Sequence, residues 1–329
     1  MKHTIPSKLA KGDVVRVIAP ARSLKILSED TRLYADKYLT EILGLKVEFS
    51  KHSEDMDEFR SSSIQDRIDD LHEAFKDPSV KAILSVIGGY NSNQLLDHID
   101  WELIASNPKI LCGFSDITVL ENAIFAKTGM VTYSGPHYTN FGQKIFDEYT
   151  AEYFKKCLFG TAPFDIAASE QWTDDEWFLD QDKRSPIKNS GFEILQSGSG
   201  EGTIIGGNLC SLNLLQGTPY MPKADNVILF IEDDEESYPE VFDRDLQSLL
   251  QSLTNTSIKG VVIGRFQQKS EMKLETLKKI IKTKAALANA PVIAGTDFGH
   301  TDPKITFPIG GKATLTCEAN GAKITILEH

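Results

Sequence analysis

The 329-residue sequence predicts an α/β protein: a parallel-sheet domain first, then a smaller mixed α/β domain. Three observations predict it. From Asp13 to Gly129 strand-like and helix-like segments alternate, the order that builds a parallel sheet with helices on both faces. Within that stretch "VKAILSVIGGY" and "KILCGF" read as buried strands that end in glycine, directly before a helix. Further on, strands and helices mix, and the chain closes on a hairpin pattern.

The elements follow in order. "DVVRVIAP" is a β-branched run that ends in a turn. "SEDTRLYADKYLTEILG" has helical spacing, an N-cap at Ser28 and a closing Gly44. "LKVEFS" reads as a strand, "SIQDRIDDLHEAFKD" as an amphipathic helix and "NQLLDHID" as a helix after the Gly88-Gly89 turn. "DITVLENAIFAKTG" is the helix after "KILCGF". The predicted boundaries are a first domain over 1–165, a polar connector over 166–200 that forms a substrate loop, and a second domain over 201–329. In the second, "NVILFIE", "IKGVVIGRF" and "PVIAGT" are strands, and helices are predicted over 239–253 and 271–288. "ATLTCEANGAKITILE" is a hairpin turning at Asn320-Gly321.

A net charge of −12 argues against a nucleic-acid partner, whose phosphates demand a basic surface. The four cysteines lack metal-ligand spacing, and Cys112 and Cys210, in apolar surroundings, are expected in the core. There is no apolar leader and no run of the ~18 apolar residues that span a membrane, so a cytoplasmic protein is expected.

The chemistry centres on "GFSDIT". A strand ending in Gly113-Phe114-Ser115-Asp116 that turns into a helix can lift a serine hydroxyl to the sheet edge. Ile117 replaces the second glycine of a full G-x-S-x-G elbow, and a plain N-cap serine fits the same turn. Gly88-Gly89 ends another strand at that edge, so its amides and that of Asp116 can face an oxyanion. A serine nucleophile needs a base and an orienting acid. Of seven histidines, His300 follows a buried strand and a glycine and is the best candidate; His137 is a possible lining residue. Glu232, the first charge after "VILFI", is the candidate acid. Residues 232–236 are acidic throughout, and their mutual repulsion raises some of their pKa values.

Taken together, "GGYNSNQLL", "GFSDIT", "GGNLCSLNLLQGT", "LFIEDDEE" and "GTDFGHTDPKITFPIG" resemble the serine peptidase family of LD-carboxypeptidases, closest to its MccF-like microcin C immunity branch. The resemblance implies a flavodoxin-like first domain that carries Ser115 and a second domain that supplies Glu232 and His300. It implies oxyanion donors at Asp116 and the Gly88-Gly89 turn, no metal or organic cofactor, and a homodimer. The MccF-like branch implies hydrolysis of the amide between an acidic residue and a modified adenylate, with Trp172 or Trp177 stacked on the base. Asn208 would bind substrate or shape its turn, and Lys304 or Arg265 would neutralise a substrate carboxylate. The murein branch implies instead the release of D-alanine from a peptidoglycan tetrapeptide. An α/β-hydrolase esterase and a nucleotide- or sugar-binding module remain as alternatives from the residues alone; "GSGEGT" is not a true phosphate-binding G-x-G-x-x-G.

Overall fold

The computed structural model describes residues 3–145 and 147–329. In the first half, β1 (Val14–Ile18), β2 (Lys46–Phe49), β3 (Val80–Ser85), β4 (Ile110–Gly113) and β5 (Thr132–Ser134) are parallel, in the order β2-β1-β3-β4-β5. That is the flavodoxin-like strand order, which leaves ligand sites at the carboxyl ends of the strands. Three helices of the sheet are α1 (Glu29–Lys37), α2 (Ile64–Lys76) and α3 (Trp101–Ser106). Ser28 caps α1 by accepting from the Thr31 amide at 3.2 Å. The fourth, α4 (Thr118–Thr128), follows β4 almost at once and stops at left-handed Gly129. The helix expected over "NQLLDHID" is a 3-10 turn, Ser92–His98. Next comes α5 (Glu148–Leu158).

The remaining strands are β6 (Phe164–Ile166), β7 (Gln171–Trp172), β8 (Ile187–Lys188), β9 (Glu193–Gln196), β10 (Gly198–Asn208), β11 (Asn226–Glu232), β12 (Ser257–Gly264), β13 (Val292–Thr296), β14 (Phe307–Ile309), β15 (Lys312–Glu318) and β16 (Gly321–Glu328). A second sheet runs β6-β16-β15-β10-β11-β12-β13-β9, with a parallel centre, β10 to β13, and antiparallel flanks. Its helices are α6 (Leu209–Asn213), α7 (Pro239–Ser252) and α8 (Leu274–Lys282).

Several expectations need correction at the level of elements. The boundary drawn at residue 200 falls inside β10, and β9, from the expected connector, pairs with β13 at the sheet edge. Conversely, β14 joins the first sheet, antiparallel to β5. The lysine-rich helix is shorter than its pattern, since Glu271 is left-handed and the chain turns again at Lys284. The terminal hairpin pairs Glu318 with Gly321, so its turn residues are Ala319 and Asn320. Cys210 is exposed, because short α6 turns Leu209 and Leu212 inward instead; Cys112 is buried. No helix among the described residues is long and apolar enough to cross a membrane.

The halves share their cores. One cluster joins Ile117, Leu120 and Ile124 to Leu209, Leu212 and Leu246. Polar contacts reinforce it: Asn122 Nδ2 donates to Gly206 O at 2.7 Å, and the Asn208 amide donates to Thr118 Oγ1 at 2.9 Å. Gly207 (φ +115°) is held so close that a β-carbon there would lie 2.4 Å from Thr118 Oγ1. The "GGN" string thus docks the second half against the helix that follows Ser115.

Candidate active site

Four successive strand ends of the first sheet meet one cavity of about 380 Å³. They bring Arg22 after β1, Gly88 and Gly89 after β3, Phe114 and Ser115 after β4, and His137 after β5. From the second half come residues 174–178, 234–236, His300, Asp302 and Lys304.

Ser115 has φ +60°, a left-handed conformation that costs a non-glycine residue energy and lifts its side chain out of the turn. Its Oγ lies 3.1 Å from His300 Nε2, and His300 Nδ1 lies 2.8 Å from Glu232 Oε2. Glu232 ends β11 and is buried beside Gly264 and Gly299. A β-carbon on Gly264 would come within 2.6 Å of Glu232 Cβ, and one on Gly299 within 2.3 Å of Oε2. Only glycine at both positions leaves room for the carboxylate. Burial alone would lower the His300 pKa, but the charge and hydrogen bond of Glu232, aided by Asp234 and Asp233, outweigh it and raise it. Asp233 is pushed up to about 7, by burial first and then by neighbouring Glu232.

The Asp116 side chain and carbonyl hold two turns together. Its buried Oδ2 accepts from the amides of Asn91 and Ser92, both at 3.0 Å, and Ser92 Oγ donates to its carbonyl at 2.7 Å. These bonds tie the Gly88-Gly89 turn to the serine turn. A β-carbon on Gly88 would lie 3.5 Å from the Asp116 amide nitrogen.

The remaining expected residues divide. Trp177 lines the cavity but is only 7% exposed, whereas neighbouring Phe178 is 61% exposed and lines it too. Trp172 stands outside the cavity lining, under the Arg265 guanidinium, 4.9 Å from its ring centre. Arg265 is spent on Asn189, the Gly295 carbonyl and Asp297. Asn208 lies outside the lining as well: its Oδ1 caps α6 at the Ser211 amide and its Nδ2 donates to Asp233. Lys304 lines the cavity, paired with Asp302. Residues not singled out by sequence are Arg22, Tyr90, Phe114 and Phe178; Tyr90 and Phe114 lie inside the glycine-bearing turns, but only the tertiary fold brings the four side chains to one cavity. The Phe114 ring stacks on His137 at 4.3 Å and meets His300 edge-on at 5.3 Å, which fixes the histidine's ring plane. Among the described residues His52, Asp55 and Asp66 could share a metal ion, but they lie apart from this cavity.

An α/β scaffold that presents a serine on a strained strand-to-helix turn beneath a histidine–glutamate pair is that of a serine peptidase. The chain belongs to the LD-carboxypeptidase family: the models of its N-terminal and C-terminal domains match residues 15–135 and 201–315. It is 50% identical to the putative carboxypeptidase YocD of Bacillus subtilis, over 98% of this chain and 99% of that one. It is 33% identical to a probable murein peptide carboxypeptidase of the same organism, over 97% and 93%. The crystal structure of an MccF-like protein from Bacillus anthracis superposes with a TM-score of 0.97 at 51% identity, covering 99% and 100%. The microcin C7 self-immunity protein MccF in complex with aspartyl sulfamoyl adenosine gives 0.88 at 30%, covering 99% of each chain.

Proposed function

We propose that Ser115, His300 and Glu232 form the catalytic triad of an amide hydrolase of the MccF-like kind, whose leaving group is a modified adenylate. The observation that carries this is the relay of 3.1 Å and 2.8 Å contacts, which opens into one cavity. His300 Nε2 takes the Ser115 proton as Oγ bonds to the scissile carbonyl carbon. The oxyanion rests on the Asp116 amide and the Gly88-Gly89 turn. His300 then gives its proton to the departing nitrogen as the C–N bond breaks, and water, activated by His300, frees the acyl group. Glu232 holds the imidazole tautomer and balances its charge.

Phe178, with Trp177 at its side, supports an aromatic leaving group, since an exposed ring beside the cavity offers a stacking face. MccF itself is solved with aspartyl sulfamoyl adenosine. The acyl half is where this cavity favours a second reading. Asp174, Asp175, Glu176, Asp234, Glu235 and Glu236 all line it; even with Arg184 on Asp175 and Lys269 on Glu176 and Glu235, this lining disfavours an acidic acyl residue and suits one with a protonated amine. A murein peptide cleaved before its terminal D-alanine fits that charge pattern.

Mass spectrometry of a D-alanine-terminated murein tetrapeptide and an aspartyl-adenylate analogue, each incubated with wild type and Ser115→Ala, tests both. Cleavage of the adenylate alone, lost in the variant, supports the first reading; release of D-alanine alone supports the second. Cleavage that survives in Ser115→Ala removes the triad.

A further inference from the structure

We propose that Arg22 is a specificity residue that binds an anionic group on the departing half of the substrate. The inference rests on the hydrolase reading above and names what the cavity selects.

Arg22 follows β1 and lines the cavity with its guanidinium over the Tyr90 ring, 5.2 Å from the centre. Every other positive group there is committed. Lys304 pairs with Asp302, and His300 with Glu232. Burial, then Lys304 and His300, hold the His137 pKa well below the usual value, which leaves that ring neutral. Among the described residues, Arg22 is the one lining cation without a carboxylate partner. The same cavity is lined by the carboxylates of 174–176 and 234–236. Three of these acids have cations of their own, Asp175 with Arg184 and Glu176 and Glu235 with Lys269, so among the described lining residues Arg22 is the cation left to meet an anion.

The arginine side chain starts beside the turn that packs on the nucleophile. A β-carbon on Gly88 would sit 3.0 Å from Ser115 Oγ, and one on Gly89 would sit 3.3 Å from Arg22 Cγ. Two consecutive glycines therefore separate the reacting serine from the base of the arginine side chain. The Tyr90 ring supports one face of the guanidinium and leaves its N–H edges to form paired bonds with a carboxylate or phosphate. A peptide's terminal carboxylate and a nucleotide's phosphate share this chemistry, and the test separates them.

Full-length Ser115→Ala protein, with Arg22 intact or replaced by Gln, is titrated calorimetrically with two ligand pairs. One pair is the D-alanine-terminated murein tetrapeptide and its C-terminal carboxamide; the other is adenosine monophosphate and adenosine. The expected result is that the anionic member of one pair binds tighter by roughly ten- to hundredfold, the range of a charge-assisted bond. Arg22→Gln abolishes that preference, and Arg22→Lys, with the charge but not the fork, keeps part of it. The pair that shows the preference identifies the anion. A preference that survives Arg22→Gln, or no preference in either pair, overturns the proposal. Labelling of Ser115 by a serine-directed phosphonate tells the two readings apart: if wild type is labelled, only the subsite has failed, and if it is not, both have.

Discussion

Gly88 lies so close to Ser115 that a β-carbon on the glycine would stand 2.9 Å from Ser115 Cβ and 3.0 Å from Oγ. The contact joins the ends of β3 and β4, the two turns whose amides are proposed to hold the oxyanion. Gly88→Ala pushes these turns apart without touching the core. Turnover is expected to fall about 10²- to 10³-fold, the cost of a displaced oxyanion donor, with little change in melting temperature. Steady-state kinetics and a thermal melt check it; a fall in turnover matched by a large loss of stability would argue for general misfolding instead.

Ser115 itself stores strain. At φ +60° a residue with a β-carbon costs about 1–2 kcal/mol, which glycine largely avoids. Ser115→Gly is therefore expected to be inactive yet as stable as wild type or up to about 1 kcal/mol more so, after glycine's own entropy loss. Urea denaturation measures this. A clear destabilisation would mean that the Ser115 hydroxyl contributes more to folding than the backbone costs.

The raised His300 pKa sets a pH limb. The free imidazole is the base, so kcat/KM rises with pH through a midpoint above the ordinary 6.5. Glu232→Gln removes the leading charge that raises it, while burial remains. The midpoint is expected to move down, and turnover to fall about 10⁴-fold as the tautomer is lost. A midpoint that stays in place would assign the limb to another group, with Asp233 the first to examine.

Glu121 is fully buried in α4, and burial raises its carboxyl well above the ordinary 4.5. A carboxyl raised on folding favours the unfolded chain as pH climbs past the unfolded value, until pH reaches the folded one. Glu121→Gln removes that loss. The variant is expected to match wild type near pH ~4 and to be more stable by about pH 8. Equal stability at both pH values would show that Glu121 titrates alike in both states.

Much of the site was legible in the sequence because its chemistry sits on local patterns. "GFSDIT" reads as a strand-to-helix turn whatever its surroundings, and the β-α order sets strand carboxyl ends on one edge. Glu232 is marked by being the first charge after a fully apolar strand. Other local signals leave a side chain's partners undecided. Trp172 and Arg265 look available in sequence, but they satisfy one another outside the cavity. Asn208 looks like a ligand-binding turn residue, but both ends of its amide are used in capping α6 and holding Asp233. Phe178 and Arg22 carried no sequence signal, since what brings each to the cavity is the fold and not its neighbours in the chain.

By itself the sequence determined the α/β class, the strand-to-helix turn at Ser115 and the glycine-bearing strand ends. These follow from hydrophobic period and backbone freedom, which act over a few residues. Tertiary structure alone decided that β14 crosses into the first sheet and that the "GGN" segment docks on α4. It also decided that two acidic runs far apart in the chain line one cavity with Arg22. Those relations depend on which buried faces meet, and the energy of that choice is summed over long-range contacts that no local window of sequence contains.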